Sequence, residues 1–155
     1  MVKKKEEDPD VLVVCTNKKA NFLFEIGEKI EAGIALLGSE VKSLRARNID
    51  LSDAYAAIRE GEVYLVQAHI GEYKNAGYGG HQPKRERKLL LRRQEIKRLT
   101  GKLVERGFTL VPLSLYFRRG KAKVLLGLAR GRKKHDRRRQ IQEKDQRRQM
   151  RKEGG

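Results

Sequence analysis

The sequence predicts a mainly β protein with a few short helices (an α+β chain), arranged as a small antiparallel barrel. Runs rich in β-branched and aromatic residues recur at short intervals, turn residues separate them, and only two segments have helical apolar spacing. The chain has 155 residues, which suits one domain. Its aromatic residues all lie between Phe22 and Phe117, so we expect the folded body there.

Three pairs of short strands are predicted, and each pair is joined by a turn. They are residues 55–59 and 62–70 about Glu60-Gly61, 108–117 and 121–129 about Arg118-Arg119-Gly120, and 22–26 and 31–37 about Gly27-Glu28. Pro112 should place its strand at an edge or a bulge, because proline donates no hydrogen bond to a neighbouring strand.

Two helices interrupt the predicted strands. The first begins at Glu40 and is capped by Ser39. Its residues Val41 and Leu44 should point inward. Its basic outward residues are Lys42, Arg45 and Arg47. The second has one apolar face formed by Ile96, Leu99 and Leu103. Short strands with two helical inserts favour a closed or partly closed barrel, and oligonucleotide-binding barrels are one such architecture.

Positive charge is concentrated in two stretches of the chain, which has a net charge of +17. Residues 84–98 carry +6, residues 130–155 carry +8, and the other residues carry only +3. Such clustering is typical of a protein that binds a polyanion, since each Lys or Arg that neutralises a phosphate releases condensed counterions. A solvated face with a disordered tail would give the same pattern.

The positions of the aromatic residues and of the charge together predict the domain organisation. We expect an N-terminal arm over residues 1–16, a nucleic-acid-binding barrel over 17–129 and a basic C-terminal tail over 130–155. The tail has Ile141 and Met150 as its only large aliphatic residues, so it cannot fold alone and should be disordered when free.

Membrane spans and disulfides are not expected. The apolar runs are far shorter than the ~20 residues that cross a bilayer, and Cys15 is the only cysteine. We expect a small buried thiol in a reducing, cytoplasmic setting. The chain should be a monomer that makes no membrane contact and needs no metal or other cofactor.

Catalysis has little support in the sequence, because no phosphate-binding loop, nucleophile motif or metal motif occurs. The histidines are His69, His81 and His135. A ribonuclease could use two of them as acid and base, but their spacing says nothing about proximity. A ribonuclease therefore remains a weaker alternative to a protein that only binds RNA.

Four strings resemble the tmRNA-binding small protein B family, also called SsrA-binding proteins. They are EAGIALLGSEVKSLR (31–45), PKRERKLLL (83–91), LVPLSLYF (110–117) and KVLLGLARGRKKHDRR (123–138). The resemblance implies an oligonucleotide-binding-type barrel with a tail that is disordered when free. It also implies a function: binding the tRNA-like domain of tmRNA and helping elongation factor Tu with GTP deliver alanyl-tmRNA to the A site of stalled ribosomes, which is trans-translation.

The resemblance assigns roles to individual residues. Glu31, Leu90 and Lys123 match family positions that contribute to tmRNA recognition. Glu31 could accept a hydrogen bond from a base or a 2′-hydroxyl, orient a basic neighbour, or form a structural ion pair, and Leu90 alone would pass as a core residue.

The tail is implied to enter the empty mRNA channel near the small-subunit decoding centre of the ribosome, where it becomes a helix and His135 stacks. The matching tail residues are Gly131, Arg132, Lys133, Lys134, His135, Asp136, Arg137 and Arg138.

Basic side chains of the body are predicted to contact RNA phosphates. They are Lys42, Arg45, Arg85, Arg87 and Lys88. A general ribosomal or structured-RNA-binding protein would carry the same charges, but it should bind many RNAs alike.

Overall fold

The computed structural model describes residues 10–72, 80–104 and 107–131, which form nine strands and three helices. The strands are β1 (Val11–Thr16), β2 (Phe24–Ile34), β3 (Ile49–Asp50), β4 (Tyr55–Arg59), β5 (Glu62–Val66), β6 (His69–Ile70), β7 (Arg87–Leu90), β8 (Phe108–Arg118) and β9 (Lys121–Gly131). The helices are α1 (Lys18–Leu23), α2 (Gly38–Arg45) and α3 (Arg93–Val104).

Six of these strands close into a barrel, in the order β8-β4-β5-β7-β2-β9, with β9 pairing back onto β8. Each of these pairings is antiparallel. Strand β1 adds to the end of β8, and β3 pairs with β6 in a separate two-stranded sheet. The structure thus confirms the predicted fold class, a mainly β antiparallel barrel with short helices.

The core lies inside this barrel, and two helices cover its ends. Leu44 of α2 and Leu99 of α3 are both buried in the same cluster of apolar side chains. Arg45 of α2 lies over Phe117 near the end of β8, whereas Leu103 of α3 lies near Phe108 at its beginning. The two helices therefore sit at opposite ends of the barrel.

Both the β4–β5 and β8–β9 hairpins are confirmed. Their turns place Glu60 and Gly61, and Arg119 and Gly120, at positive φ, which explains a glycine at the second position of each. The register of β8 shifts after Pro112, so the predicted bulge is also present. The predicted strand 62–70 is broken into β5 and β6, with Gln67 at a φ of 63° between them.

The predicted hairpin of residues 22–26 and 31–37 is wrong. Both halves belong to one long strand, β2, which pairs along β9. The register shifts between Ile26 and Lys29, so a bulge absorbs the two residues that resembled a turn. Phe22 lies before this strand, in helix α1.

Three further differences concern the start of α2, helix α1 and strand β1. Helix α2 begins at Gly38, and Glu40, not Ser39, caps it by accepting the backbone N–H of Leu37 at 2.8 Å. Helix α1 was not predicted; the side chain of Asn17 accepts its Ala20 N–H at 3.3 Å. Strand β1 lies within residues assigned to the N-terminal arm, so that part of the arm belongs to the sheet.

None of the helices formed by the described residues is long and apolar enough to cross a membrane. In the same residues, no cluster of His, Cys, Asp and Glu could hold a metal ion. Cys15 is only half-buried, and burial raises the pKa of its thiol.

Candidate nucleic-acid interface

Strand register brings the three residues singled out by the family resemblance onto one outer wall of the barrel. Gly33 of β2 pairs with Leu90 of β7 on one side and with Lys123 of β9 on the other. Lys123 in turn pairs with Tyr116 of β8. Directly paired residues point to the same face, so these four form one row across four strands, and Glu31 shares their face two residues before Gly33. We call this surface the recognition wall.

Glu31 lies in a network of polar contacts on the recognition wall. The hydroxyl of Tyr116 donates to Oε2 of Glu31 at 2.5 Å, and Nη1 of Arg118 lies 2.9 Å from the same oxygen. The Arg118 guanidinium also lies 5.8 Å from the centre of the Tyr116 ring. Glu31 thus forms an ion pair with Arg118. Its side chain is still 30% exposed, so it also presents surface to solvent.

Leu90 is not a core residue. It is 55% exposed and lies over Gly33, where an added Cβ would be only 3.2 Å from the Leu90 Cβ. The missing side chain at position 33 therefore leaves room for Leu90. With a strand spacing of ~4.8 Å, Leu90 and Lys123 lie roughly 10 Å apart on the wall.

The predicted basic face of α2 is present at one end of the barrel. Lys42 and Arg45 are exposed. The Arg45 guanidinium lies 4.8 Å from the centre of the Phe117 ring, and Arg47 donates to the backbone carbonyl of Val13 at 3.0 Å. These contacts orient two guanidinium groups beside β1 and β8, next to the recognition wall.

Arg87 does not fit the phosphate-contacting role predicted for it. Its side chain has no exposed surface, and it pairs with the equally buried carboxylate of Glu40. It also donates to the backbone carbonyls of Ala68 at 2.8 Å and Pro83 at 3.0 Å. The sequence could not show this burial, because an arginine is buried only with a partner and this partner lies 47 residues away.

Arg85 shares the same carboxylate, since its Nη2 lies 2.5 Å from Oε1 of Glu40. Burial of Glu40 opposes its ionisation, but hydrogen bonds from Arg85, Leu37 and Arg87 outweigh it and hold the carboxyl pKa below its ordinary value. Burial lowers the pKa of Arg87. Arg85 is one-third exposed, so only part of its guanidinium faces solvent.

Lys88 is exposed, but its Nζ lies 2.8 Å from Oε1 of Glu62. The hydrogen bond from Lys88 and one from Tyr64 lower the pKa of the Glu62 carboxyl. An exposed pair of this kind contributes little to stability, so an RNA phosphate could displace the carboxylate. Lys88 therefore keeps its predicted role as a candidate.

Four cations of this basic segment have no ion pair with a described residue, and all four are exposed: Lys84, Arg92, Arg93 and Lys97. Lys84 precedes β7, and the other three lie on or beside α3. The charge count found this segment, but the chosen residues Arg85, Arg87 and Lys88 all have acidic partners, as Arg98 has in Glu28. Tyr116 and Arg118 were also missed, although their alternation along β8 places both on the outer face.

The tail predictions lie almost wholly outside the described residues. Arg130 and Gly131 belong to β9, where Gly131 pairs with Phe24. The ring of Phe108 lies 4.6 Å from the Arg130 guanidinium. Strand β9 therefore ends at the end of the barrel covered by α3. The ribosome-contacting roles of positions 131–138 stay predictions.

His81 is buried with both ring nitrogens engaged. Its Nδ1 lies 2.9 Å from the Ser39 hydroxyl, and its Nε2 lies 2.9 Å from the backbone carbonyl of Ile70. Because Nε2 must donate to that carbonyl, Nδ1 accepts from the hydroxyl. This arrangement suits a structural histidine and not a catalytic acid or base. His69 is exposed, opposite Asp50.

The closed barrel carries an exposed leucine, a carboxylate held in place and cations on one wall, and the chain has a net charge of +17. These features define a nucleic-acid-binding barrel protein. The model of the SmpB protein family matches residues 14–154. The chain belongs to the SmpB family.

Curated relatives and a solved structure agree with this assignment. The chain is 55% identical to an SsrA-binding protein of Anaeromyxobacter sp. (strain Fw109-5), covering 89% of this chain and 84% of the relative. It is 54% identical to an SsrA-binding protein of Syntrophobacter fumaroxidans, covering 89% and 86%. A structure described as "tmRNA-SmpB: a journey to the center of the bacterial ribosome" matches with a TM-score of 0.66 and 50% identity, over 81% of this chain and 86% of that chain.

Proposed function

We propose that this chain binds the tRNA-like domain of tmRNA through the recognition wall and the α2 face. The observation that carries the proposal is the register that gathers Glu31, Leu90 and Lys123 on one wall, in a member of the SmpB family. Each has a distinct chemistry for RNA. Glu31 accepts hydrogen bonds, Leu90 packs on a base or ribose, and Lys123 neutralises a phosphate.

Bound in this way, the chain would help elongation factor Tu with GTP deliver alanyl-tmRNA to the A site of stalled ribosomes. The names of the relatives and the ribosome-bound structure support this trans-translation role. The basic tail would enter the empty mRNA channel near the decoding centre, with His135 stacking there. The protein would act in the cytoplasm as a monomer, without a cofactor and without catalysing a reaction on the RNA.

The electrostatics fit a division between affinity and selectivity. Lys42, Arg45, Lys88 and Lys123 would supply phosphate contacts that any RNA can satisfy, and these contacts are weakened by salt. A carboxylate repels phosphate, so Glu31 gains only from an RNA that offers it a hydrogen-bond donor at the right place. Glu31 should therefore govern which RNA is bound more than how tightly RNA is bound in general.

The proposal is tested by competition binding of the full-length protein to tmRNA against bulk tRNA at near-physiological salt. The wild type should prefer tmRNA, and Glu31→Ala should lose much of that preference with little change in the salt dependence of binding. A protein that binds tmRNA and bulk tRNA equally would instead be a general structured-RNA-binding protein. RNA cleavage by the wild type, lost in His69→Ala, would favour a ribonuclease.

A further inference from the structure

The two polar contacts that described residues make with the Glu31 side chain reach the same carboxylate oxygen. The Tyr116 hydroxyl at 2.5 Å and the Arg118 guanidinium at 2.9 Å both reach Oε2. Oε1 accepts no hydrogen bond from any described residue. One carboxylate oxygen is thus held by the protein, and the other is left on a partly exposed side chain.

We infer that Tyr116 is a positioning residue that fixes Glu31, so that Oε1 presents a single acceptor of set direction to one N–H or O–H donor of the bound RNA. This inference rests on the proposed function and extends it to Tyr116, a largely buried member of the same wall. The donor that fits one free oxygen is a 2′-hydroxyl or the amino group of one base. A guanine edge that offers two adjacent donors would need both carboxylate oxygens.

Tyr116 is suited to this role because it is itself held in place. The residue is only 7% exposed, and its ring lies beneath the Arg118 guanidinium. Burial, followed by the hydrogen bond to Glu31, raises the pKa of the Tyr116 hydroxyl, so this group stays protonated and continues to donate. A flexible surface glutamate loses side-chain entropy when it meets a ligand, and a glutamate already held in position loses less.

The register adds a second contact for the same RNA segment. Lys123 pairs directly with Tyr116 and with Gly33, so its side chain begins beside the carboxylate of Glu31. An ammonium at this position favours a phosphate next to the donor that Glu31 reads. One nucleotide, with its phosphate toward Lys123 and a hydroxyl or amino donor toward Oε1, would satisfy both groups.

The experiment measures the preference for tmRNA over bulk tRNA, as the ratio of the two dissociation constants at one salt concentration. The variants are Tyr116→Phe, Glu31→Ala and the double variant in the full chain. We expect Tyr116→Phe to lower the ratio roughly fivefold to tenfold, the order of one net hydrogen bond. In the Glu31→Ala background the same change should have no further effect.

A matched control is available on the same barrel. The hydroxyl of Tyr64 donates to Oε2 of Glu62 at 2.8 Å, also on the outer face, so Tyr64→Phe removes the same kind of bond away from Glu31. This control should keep the wild-type ratio. Arg118→Gln removes the second contact of Oε2 at an exposed position and should also lower the ratio. If Arg118 instead contacted a phosphate, its loss would weaken both RNAs equally and leave the ratio unchanged.

Two results would overturn the inference while leaving the proposed function intact. In one, Tyr116→Phe keeps the wild-type ratio. In the other, it lowers the ratio as much in the Glu31→Ala background as in the wild type, which would mean that Tyr116 does not act through Glu31. A wild-type protein without any preference for tmRNA would overturn the proposed function, and the inference with it.

Discussion

Replacing Arg87 with methionine should destabilise the folded chain while leaving the basic surface almost unchanged. The substitution keeps an apolar stem of similar length but removes a guanidinium that has no exposed surface. It leaves Glu40 buried with only Arg85 as a charged partner. It also removes the arginine donor of the Ala68 carbonyl, and the Pro83 carbonyl keeps only the backbone N–H of Ile70.

The expected magnitude follows from these contacts. Breaking a buried ion pair by removing one partner costs about 3–5 kcal/mol. Because a chain of this size loses about 2–4 °C of melting temperature per kcal/mol, the midpoint should fall by roughly 6–20 °C. Urea unfolding gives the free energy of unfolding directly, and a thermal melt followed by circular dichroism checks the shift.

Lys88→Met provides the control for Arg87→Met. Lys88 is the next residue on the same strand, and it also pairs with a glutamate, but its side chain is 45% exposed. An exposed pair contributes little to stability, so this variant should be nearly as stable as the wild type. If Arg87→Met loses no more stability than Lys88→Met, or instead reduces the salt dependence of RNA binding by about one phosphate contact, the structural role assigned to Arg87 is wrong.

Three further predictions test other parts of the structure. The pKa of the Glu40 carboxyl lies below its ordinary 4.5. The stability that ionised Glu40 contributes is therefore present above pH 4.5 and is lost as the pH falls through the lowered pKa. Glu40→Gln should flatten this acid-induced loss in urea unfolding measured from about pH 6 to about pH 3. Gly127→Ala should cost about 1–3 kcal/mol of stability, because the new Cβ would lie 2.9 Å from Leu113 Cδ1. Gly101→Ala, where the new Cβ would have no described neighbour within 4 Å outside the helix backbone, should instead stabilise α3 by about 0.5–1 kcal/mol. Equal effects of the two variants in urea unfolding would contradict this packing. Lys123→Ala should reduce the slope of log affinity against log salt for tmRNA by about one unit, while Lys19→Ala on α1 should leave it unchanged, and an unchanged slope in the first variant would remove its phosphate contact.

Local patterns predicted the hairpins because their turns contain what such turns need. Glu60-Gly61 and Arg119-Gly120 take positive φ, and the alternating runs beside them have enough β-branched and aromatic residues to form strands. Strand β2 was divided wrongly because Gly27-Glu28 looks the same in a turn and in a bulge. Only β9, almost one hundred residues later, decides between the two, since it pairs with β2 on both sides of the bulge.

The candidate site divides in the same way. The family resemblance identified Glu31, Leu90 and Lys123, but their placement on one wall depends on pairing among β2, β7, β8 and β9. Composition located the basic segment but could not separate buried, paired and unpaired cations. That separation depends on Glu40 and Glu62, whose distance from their partners along the chain hides them from any local pattern.

The central claim is that the wall selects tmRNA while the tail works on the ribosome, and peptide tagging tests it most directly. The tail should be removed after Gly131, because β9 extends to that residue and an earlier end would cut the strand. The truncated chain and the full chain are compared for tmRNA affinity and for tagging of nascent peptides on messages without a stop codon. We expect nearly equal affinity for tmRNA and tagging only with the full chain. Normal tagging by the truncated chain would contradict the account.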